Sequence, residues 1–183
     1  MKMISKKSAK SKRNVQKLTD IKFLNLYQMQ DPDNNVGNFF YAERLGKDSV
    51  AFIGYDADAE LFLVNKEYKP PVNKFITGAF GGSLDSDLPP ARIVEQEVRE
   101  EAGFEVDSSN VRYLGRVFVS TQMNQYCFLF LVSLSQKDQK DRQPENAIEA
   151  MATTKWVKEE EIYKMEEWKP ITIVSLAKQQ GVL

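Results

Sequence analysis

The sequence predicts a mixed α/β sandwich, and three observations support this fold class. Short apolar segments bounded by polar turns predict strands, for example from Ser49 to Tyr55 and from Leu61 to Val64. Most intervals between these segments have hairpin length, which favours antiparallel neighbours. A helix pattern from about Pro90 to Ala102 lies among the strands, and a length of 183 residues suffices for a domain with its own core.

The predicted elements follow one another along the whole chain. Strands are expected at 21–29, 38–45, 49–55, 61–64, 75–80, 111–119, 126–134 and 153–157. Pro90 and Gly103 mark the start and the end of the first helix. Two further helices are expected at 158–167 and 171–180. Gly81 and Gly82 are expected to end the strand that precedes the first helix.

The composition excludes several kinds of catalytic site. The chain has no histidine, which excludes a Ser–His–Asp triad, a Cys–His pair and zinc sites with histidine ligands. Its single cysteine, Cys127, excludes an internal disulfide and fits a reducing, cytoplasmic location. General acids and bases must therefore come from carboxylates, lysine or tyrosine, and a metal that prefers oxygen ligands is the natural cofactor.

Basic residues are concentrated near the N-terminus, where residues 1–22 carry eight lysines or arginines and one acid. The remaining 17 basic and 25 acidic residues give the rest of the chain a net charge of −8. Such a segment fits contact with nucleic acid or an anionic surface, or a solvated arm. We favour the arm and expect no nucleic-acid partner, because no aromatic residue precedes Phe23. Neither a membrane span nor a signal peptide is predicted.

The helix at 90–102 carries an acidic stripe. At about 100° per residue, Glu97, Glu100 and Glu101 fall together, beside an apolar face that would meet a sheet. That face consists of Ala91, Val94, Val98 and Ala102. The acids repel one another and oppose the helix dipole, so a divalent cation would relieve both penalties. A solvated acidic face is the simpler alternative, but the glycines on both sides of the helix favour a built site.

The segment from Gly82 to Phe104 resembles the Nudix box, GX5EX7REUXEEXGU, in which U is aliphatic. Phe104 fills the last apolar place, and the positions that match the pattern itself are Gly82, Glu97, Val98, Glu100, Glu101 and Gly103. Two positions differ, because Leu88 replaces the first glutamate and Gln96 replaces the arginine. In the family that arginine orients the neighbouring glutamate.

The resemblance implies a Nudix-type α/β/α sandwich with a mixed sheet. It also implies an enzyme that cleaves a nucleoside diphosphate linked to another group, with Mg²⁺, or alternatively Mn²⁺, as cofactor. The implied metal ligands are Glu97, Glu100, Glu101 and the carbonyl of Gly81. The same glutamates are the implied catalytic residues, and a general base is expected downstream at Glu145 or Glu149. Each of these two has the alternative of being an ordinary loop acid.

Outside the box, Ser49 to Phe52 and Leu63 to Pro71 are similar to the ADP-ribose pyrophosphatase branch. This implies ADP-ribose, which would give AMP and ribose 5-phosphate, or a nucleotide sugar as the substrate. Lys69 is the candidate for binding a phosphate, and Tyr41 is a candidate for stacking on a base. Their alternatives are a surface lysine and a core aromatic residue.

Two functional hypotheses stay open, a metal-dependent hydrolase and a nucleotide-binding module with reduced or lost catalysis. Leu88 and Gln96 favour the binding module, whereas the retained acidic stripe favours the enzyme.

We divide the chain into a basic, disordered tail at 1–17, extended segments at 18–45 and a Nudix domain at 46–183. The extended segments carry more apolar surface than a free arm exposes, so we predict that they mediate a homodimer. The alternative is that they fold back onto their own domain. The apolar residues concerned are Leu24, Leu26, Phe39 and Phe40.

Overall fold

The computed structural model describes residues 13–183, so most of the predicted basic tail lies outside the described residues. The described chain forms two compact units. The smaller unit holds residues 13–45 and Ser120–Asn124, and the larger holds Gly46–Val119 and Gln125–Leu183. The prediction of a disordered tail is wrong at its end, because Asn14–Lys17 forms a strand that pairs with the next one.

The smaller unit is an antiparallel sheet. Its three strands are β1 (Asn14–Lys17), β2 (Leu24–Asp31) and β3 (Val36–Arg44). A 3-10 turn at Pro32–Asn34 joins β2 to β3, where the buried Asp31 side chain accepts hydrogen bonds from Asn34. Asp31 thus provides an acceptor for a backbone N–H group at the start of the turn, as an N-cap residue does at the start of a helix.

The larger unit is built on a mixed sheet. Its strands are β4 (Ser49–Asp56), β5 (Leu61–Lys69), β6 (Lys74–Gly78), β7 (Phe80–Ser83), β8 (Val111–Ser120), β9 (Met123–Ser133) and β10 (Thr153–Val157). β4 pairs with β9 in parallel and with β5 in antiparallel fashion, and β10 follows β5. β6 and β7 pair with β5 and β4, and β8 pairs with β9.

Helices cover both faces of this sheet. They are α1 (Pro90–Glu97), α2 (Ala147–Met151), α3 (Glu159–Ile162) and α4 (Trp168–Gln179). Strand alternation sends Phe52 into the cluster around α1 and the next residue, Ile53, into the cluster around α4. Fully burying one such side chain contributes roughly 1.5–3 kcal/mol. The predicted α/β/α sandwich with a mixed sheet is confirmed.

Two local predictions are wrong. Gly81 and Gly82 do not end a strand, because both lie within β7 and pair with β4. The helix expected at 158–167 ends at Ile162. The chain turns there, and the Glu167 side chain accepts a hydrogen bond from the backbone N–H of Ala79 at 2.9 Å. No helix in the described part of the chain combines the length and the apolar character that crossing a bilayer requires.

Candidate active site

A cleft of about 430 Å³ lies between β7, α1 and the segment that leads into α2, together with α2 itself. Four of its residues are glutamates, Glu97, Glu100, Glu145 and Glu149. The other lining residues are Gly81, Gly82, Ser83, Asp85, Ser86, Leu88, Ile93 and Gln96. The structure therefore brings four of the five predicted catalytic acids to one cleft.

The first of these acids, Glu97, is the last residue of α1 and lies directly against β7. A side chain at Gly82 would place its Cβ 2.1 Å from Oε1 of Glu97, closer than atoms can approach. Gly82 therefore leaves room for the Glu97 carboxylate, which any other residue at this position would displace. Val94 and Val98 on the neighbouring face are fully buried against the sheet, which fixes the rotation of the helix.

After Glu97 the helix continues as a π-helical turn over Val98–Ala102 and ends at Gly103, whose φ is 78°. Single π-helical turns of this kind are frequent at functional sites. This turn places Glu101 inward, where it is 8% exposed and its Oε2 accepts a hydrogen bond from the Gly81 N–H at 3.4 Å. Glu101 lies behind the cleft and not on its wall.

The charged loop after β9 is attached to the end of this helix. The last carbonyls of a helix lack partners within the helix. Here the carbonyls of Glu100 and Gly103 accept hydrogen bonds from the backbone N–H groups of Gln143 (2.9 Å) and Lys140 (2.7 Å). The Gln139 side chain donates to the Ala102 carbonyl at 3.1 Å. These bonds hold the loop so that Glu145 and Glu149 reach the cleft.

Glu149 is the better ordered of the two downstream acids. Asn146 begins α2 as its N-cap and accepts hydrogen bonds from the N–H groups of Ile148 and Glu149. The Glu149 carboxylate accepts further bonds from the Glu145 N–H (2.8 Å) and from the Asn146 side chain. Glu149 is half-buried, whereas Glu145 is exposed. The Glu149 carboxylate is thus held in place, as a residue that moves a proton must be.

The cleft is short of positive charge. Burial, followed by the fields of Glu101 and Glu100, raises the pKa of Glu97 to about 8. Burial also raises the pKa of Glu101 to about 7, against the lowering effect of the Gly81 N–H. The field of Glu149 adds to both shifts. Groups with such perturbed pKa values, gathered in one cleft, are typical of functional sites.

The donor chemistry of the cleft fits a hard divalent cation, because carboxylate oxygens are the ligands such ions prefer. A bound cation would favour the ionised carboxylates and so oppose the burial and like charge that raise the pKa of Glu97 and Glu101. Within residues 13–183 no three carboxylates are already close enough together to hold an ion. Glu97, Glu100 and Glu101 are the residues that would hold it.

The remaining predicted residues lie in two places. Lys69 is in the larger unit, forms a salt bridge with Glu67 at 2.7 Å, and lowers the pKa of Glu101. Tyr41 is in the smaller unit, where its ring stacks on that of Tyr27 at 5.3 Å between centroids.

Sequence reasoning missed Glu67, whose field raises the pKa of Glu101. The sequence offered one indication of this role: Glu67 lies two residues before Lys69, so the two side chains share one face of β5. It also missed Ser83, Asp85 and Ser86, which carry no periodic signal because they lie where β7 passes into the loop before α1.

Comparison with known proteins adds independent findings. A family model described as NUDIX domain matches residues 46–176. No curated protein sequence matches the chain. One solved structure, described as the crystal structure of ADP compounds hydrolase, is similar with a TM-score of 0.71 at 14% identity, covering 98% of this chain and all of that one. At this identity the likeness shows the fold. Because the family model covers well over half of the residues, the chain belongs to the Nudix family, whose members hydrolyse phosphorus-containing anhydrides and generally require divalent metal ions.

Proposed function

We propose that this protein is a metal-dependent pyrophosphohydrolase that cleaves a nucleoside diphosphate linked to another group. The substrate we favour is ADP-ribose, giving AMP and ribose 5-phosphate, or a nucleotide sugar. The observation that carries the proposal is the single cleft that Glu97, Glu100 and Glu149 line, where burial and like charge raise the pKa of Glu97 to about 8. The similar ADP compounds hydrolase supports the choice of substrate class.

Each acid has a proposed role. Glu97, Glu100 and Glu101, with the carbonyl of Gly81, would hold Mg²⁺, or alternatively Mn²⁺. The metal would supply Lewis-acid stabilisation of the charge that develops on the phosphate oxygens. Glu149 takes the proton from the attacking water, because its carboxylate is held by hydrogen bonds at the cleft. Glu145 is the second candidate for this role.

Two further residues are proposed to contact the substrate. Lys69, which Glu67 holds at 2.7 Å, offers a point charge for a phosphate near Glu101. Tyr41 offers an aromatic ring from the smaller unit. We also propose that the protein is a homodimer and is cytoplasmic; the free, buried Cys127 supports the location.

The proposal is tested by comparing Glu101→Gln with Glu105→Gln at saturating Mg²⁺. Glu101 is buried behind the cleft, whereas Glu105 is an exposed glutamate just beyond the helix. We expect Glu101→Gln to lower hydrolysis about a hundredfold or more, since removing one preorganised electrostatic group commonly has that effect. Glu105→Gln should keep the parent rate. Equal rates for the two variants would remove Glu101 from the mechanism.

A binding module with lost catalysis is the second candidate function, and Leu88 and Gln96 favour it. Both are exposed residues on the cleft wall, where the Nudix pattern has a glutamate and an arginine. A hydrolysis panel of ADP-ribose, nucleotide sugars, dinucleoside polyphosphates and nucleoside triphosphates separates the two functions. Binding without turnover on the whole panel, with either Mg²⁺ or Mn²⁺, would establish the module.

A further inference from the structure

The short helix α2 turns its acidic residue inward and its apolar residues outward. Glu149 is the only residue of α2 that is not exposed, although it carries a charge. The large apolar residues Ile148 and Met151 are 38% and 50% exposed. A surface helix normally turns its apolar side inward. A local arrangement that opposes stability in this way is expected at a functional site, and the acid that α2 turns inward lines the cleft.

Packing of its own side chains does not explain why α2 is helical. It has five residues, and none of them is buried. Helices shorter than about 12 residues are marginal in water, and most of their stability in proteins comes from packing an apolar face. The order of α2 must therefore come from the contacts at its two ends and from the segment that carries it.

That segment, residues 143–152, is closed at both ends. The N–H of Gln143 donates to the Glu100 carbonyl at 2.9 Å, which joins the start of the segment to the helix of metal-binding acids. The guanidinium of Arg142 donates to the carbonyl of Ala152, which is buried at the other end. These contacts set the path of the backbone, so the direction of the Glu149 side chain remains to be fixed.

Asn146 fixes this direction, and the two ends of its side chain have different tasks. Its Oδ1 accepts hydrogen bonds from the N–H groups of Ile148 and Glu149, both at 3.0 Å. Its Nδ2 donates to Oε1 of Glu149. The amide cannot be turned around, because its oxygen would then face a carboxylate and its NH₂ group would face two N–H donors.

These bonds hold the Glu149 carboxylate without using all of its capacity. An ionised carboxylate has about four acceptor positions. Nδ2 of Asn146 occupies one, and the Glu145 N–H, at 2.8 Å, occupies another. The field of Glu149 raises the pKa of Glu97 more than the field of Glu145 does. Glu149 is thus the downstream acid whose charge the buried acids sense more strongly, and it keeps positions free for a proton.

We propose that Asn146 is the positioning residue of the general base. By donating from Nδ2, it holds the Glu149 carboxylate at the cleft, so that Glu149 and not Glu145 takes the proton from the attacking water. The inference deepens the proposed function and rests on it. A base that is already in place needs no rearrangement when water attacks, and a misplacement of about 1 Å can cost about a hundredfold in rate. Asn146 itself moves no proton.

The simpler alternative is a capping box, in which an N-cap residue and the third helical residue only stabilise the start of the helix. Two substitutions separate the two roles. Asn146→Asp has nearly the same shape and keeps an N-cap acceptor, but replaces the donor with an oxygen that repels the Glu149 carboxylate. Asn146→Ser also keeps an N-cap acceptor and removes the amide donor without adding charge.

The test measures kcat and KM for ADP-ribose at saturating Mg²⁺, with urea unfolding followed by tryptophan emission. Asn110→Asp is the matched control, because Asn110 also accepts a backbone hydrogen bond, from the Asp107 N–H at 3.2 Å, but does not line the cleft. We expect Asn146→Asp to lower kcat at least tenfold and Asn146→Ser to lower it less, with KM within about twofold of the parent value. Asn110→Asp should keep the parent kcat, and all three variants should unfold near the parent midpoint.

A double-mutant cycle shows whether Asn146 acts through Glu149. In the Glu149→Gln background, Asn146→Asp should lower kcat no further, because residues that act through one another are not additive. Hydrogen exchange gives a readout that does not depend on turnover. In Asn146→Ser the Glu145 N–H should exchange faster, since its acceptor is no longer held, whereas the Ile148 N–H, whose acceptor is the cap, should keep its rate.

The inference is overturned if both Asn146 variants keep the parent kcat, or if Asn146→Asp lowers kcat equally in the Glu149→Gln background. It is also overturned if Glu145→Gln lowers kcat more than Glu149→Gln does, because Glu145 would then be the base.

Failure of the proposed function gives different results. If turnover depends on Asn146 and Glu149 but not on Glu101, the arrangement of the base is right and the proposed metal site is wrong. If Glu101→Gln abolishes hydrolysis while Asn146→Asp keeps the parent kcat, the function is right and the positioning role is wrong. A parent protein that turns over no compound of the hydrolysis panel rejects both.

Discussion

The two units of this chain bury their apolar residues to very different extents. In the larger unit, Phe52, Phe80 and Leu129 are completely buried between the sheet and the helices. In the smaller unit, Asp31 is the only buried residue among positions 13–45. Nine of its large apolar side chains are instead more than a third exposed; they are Val15, Leu18, Ile21, Phe23, Leu24, Leu26, Phe39, Phe40 and Leu45.

This difference shows that the two units obtain their order from different sources. The larger unit has two packed layers over its sheet and can hold a rigid site, such as the contact between Glu97 and Gly82. The smaller unit is a sheet of three strands without a covered face, which is marginal in water on its own. We therefore expect substitutions of apolar residues to lower the stability of the larger unit but to alter association in the smaller one.

The largest effect on stability is expected for Phe52→Ala. Phe52 is fully buried and stacks on Phe80 at 5.0 Å between centroids. Removing such a side chain leaves a cavity and costs about 3–5 kcal/mol. The measurement is urea unfolding followed by tryptophan emission. Both tryptophans of the chain, Trp156 and Trp168, lie in the larger unit, so the signal reports on that unit alone.

Phe40→Ala is the matched control in the smaller unit. Phe40 is 49% exposed, and truncating an exposed side chain commonly changes stability by less than about 0.5 kcal/mol. If both variants lower the urea midpoint of the tryptophan signal equally, the distinction between the two units is wrong.

An effect of intermediate size on stability is expected when the ionisable carboxyl group of Glu97 is removed in metal-free protein. The pKa of Glu97 is raised from 4.5 to about 8, so the folded state disfavours its ionised form. Stability should then fall as pH rises from about 4.5 through 8, because unfolding releases the proton. Glu97→Gln has no group that ionises at this position, so its stability should not fall over this pH range. At pH 7 it should be more stable than the parent by about 2 kcal/mol.

The smaller unit should respond to pH in the opposite direction. Hydrogen bonds from the Asn34 side chain, aided by Arg13, hold the pKa of Asp31 below its usual range. The stability that Asp31 contributes is therefore present at neutral pH and is lost in acid. Hydrogen exchange of β2 and β3 amides, compared with tryptophan unfolding in EDTA between pH 4 and 8, measures both trends. Parallel pH profiles for the parent and Glu97→Gln would contradict the prediction for the cleft.

The sequence predicted the parts of the fold that follow a regular period. The strands from Ser49 and Leu61 and the helix from Pro90 are where the apolar spacing indicates, and Val94 and Val98 face the sheet. Glu97 and Glu100 line the cleft for the same reason. Regular spacing fixes which residues share a face, provided that the backbone keeps its period.

The errors occur where the backbone departs from its period or where distant groups meet. The π-helical turn at Val98–Ala102 changes the rotation per residue, so Glu101 lies inward. Gly115 shifts the alternation of β8, so no count along the strand reveals that Tyr113 and Phe118 share a face. The order of Glu149 depends on the loop that attaches to the end of the helix, which is a tertiary contact.

Phe40→Asp is expected to have the smallest effect on the stability of the larger unit. It should instead change the oligomeric state. Phe40 and Leu26 project to the same face of the smaller unit, because Gln28 pairs with Phe40 and Leu26 pairs with Ala42. Leu26 is 41% exposed, so this face offers a second copy an apolar surface. A charge at its centre would have to be desolvated in a dimer, which opposes association.

If the proposed homodimer uses this face, light scattering at micromolar concentration gives the parent about twice the 21.0 kDa of one chain, and gives Phe40→Asp a single chain mass. Tyr163→Asp, which places the same charge at an exposed aromatic position of the larger unit, should keep the parent mass. Tryptophan unfolding should be the same for all three at low protein concentration, because the core around Phe52 does not depend on the smaller unit. A parent mass near 21.0 kDa would leave the apolar face without a second copy, and the alternative that these strands fold back onto their own domain would then stand.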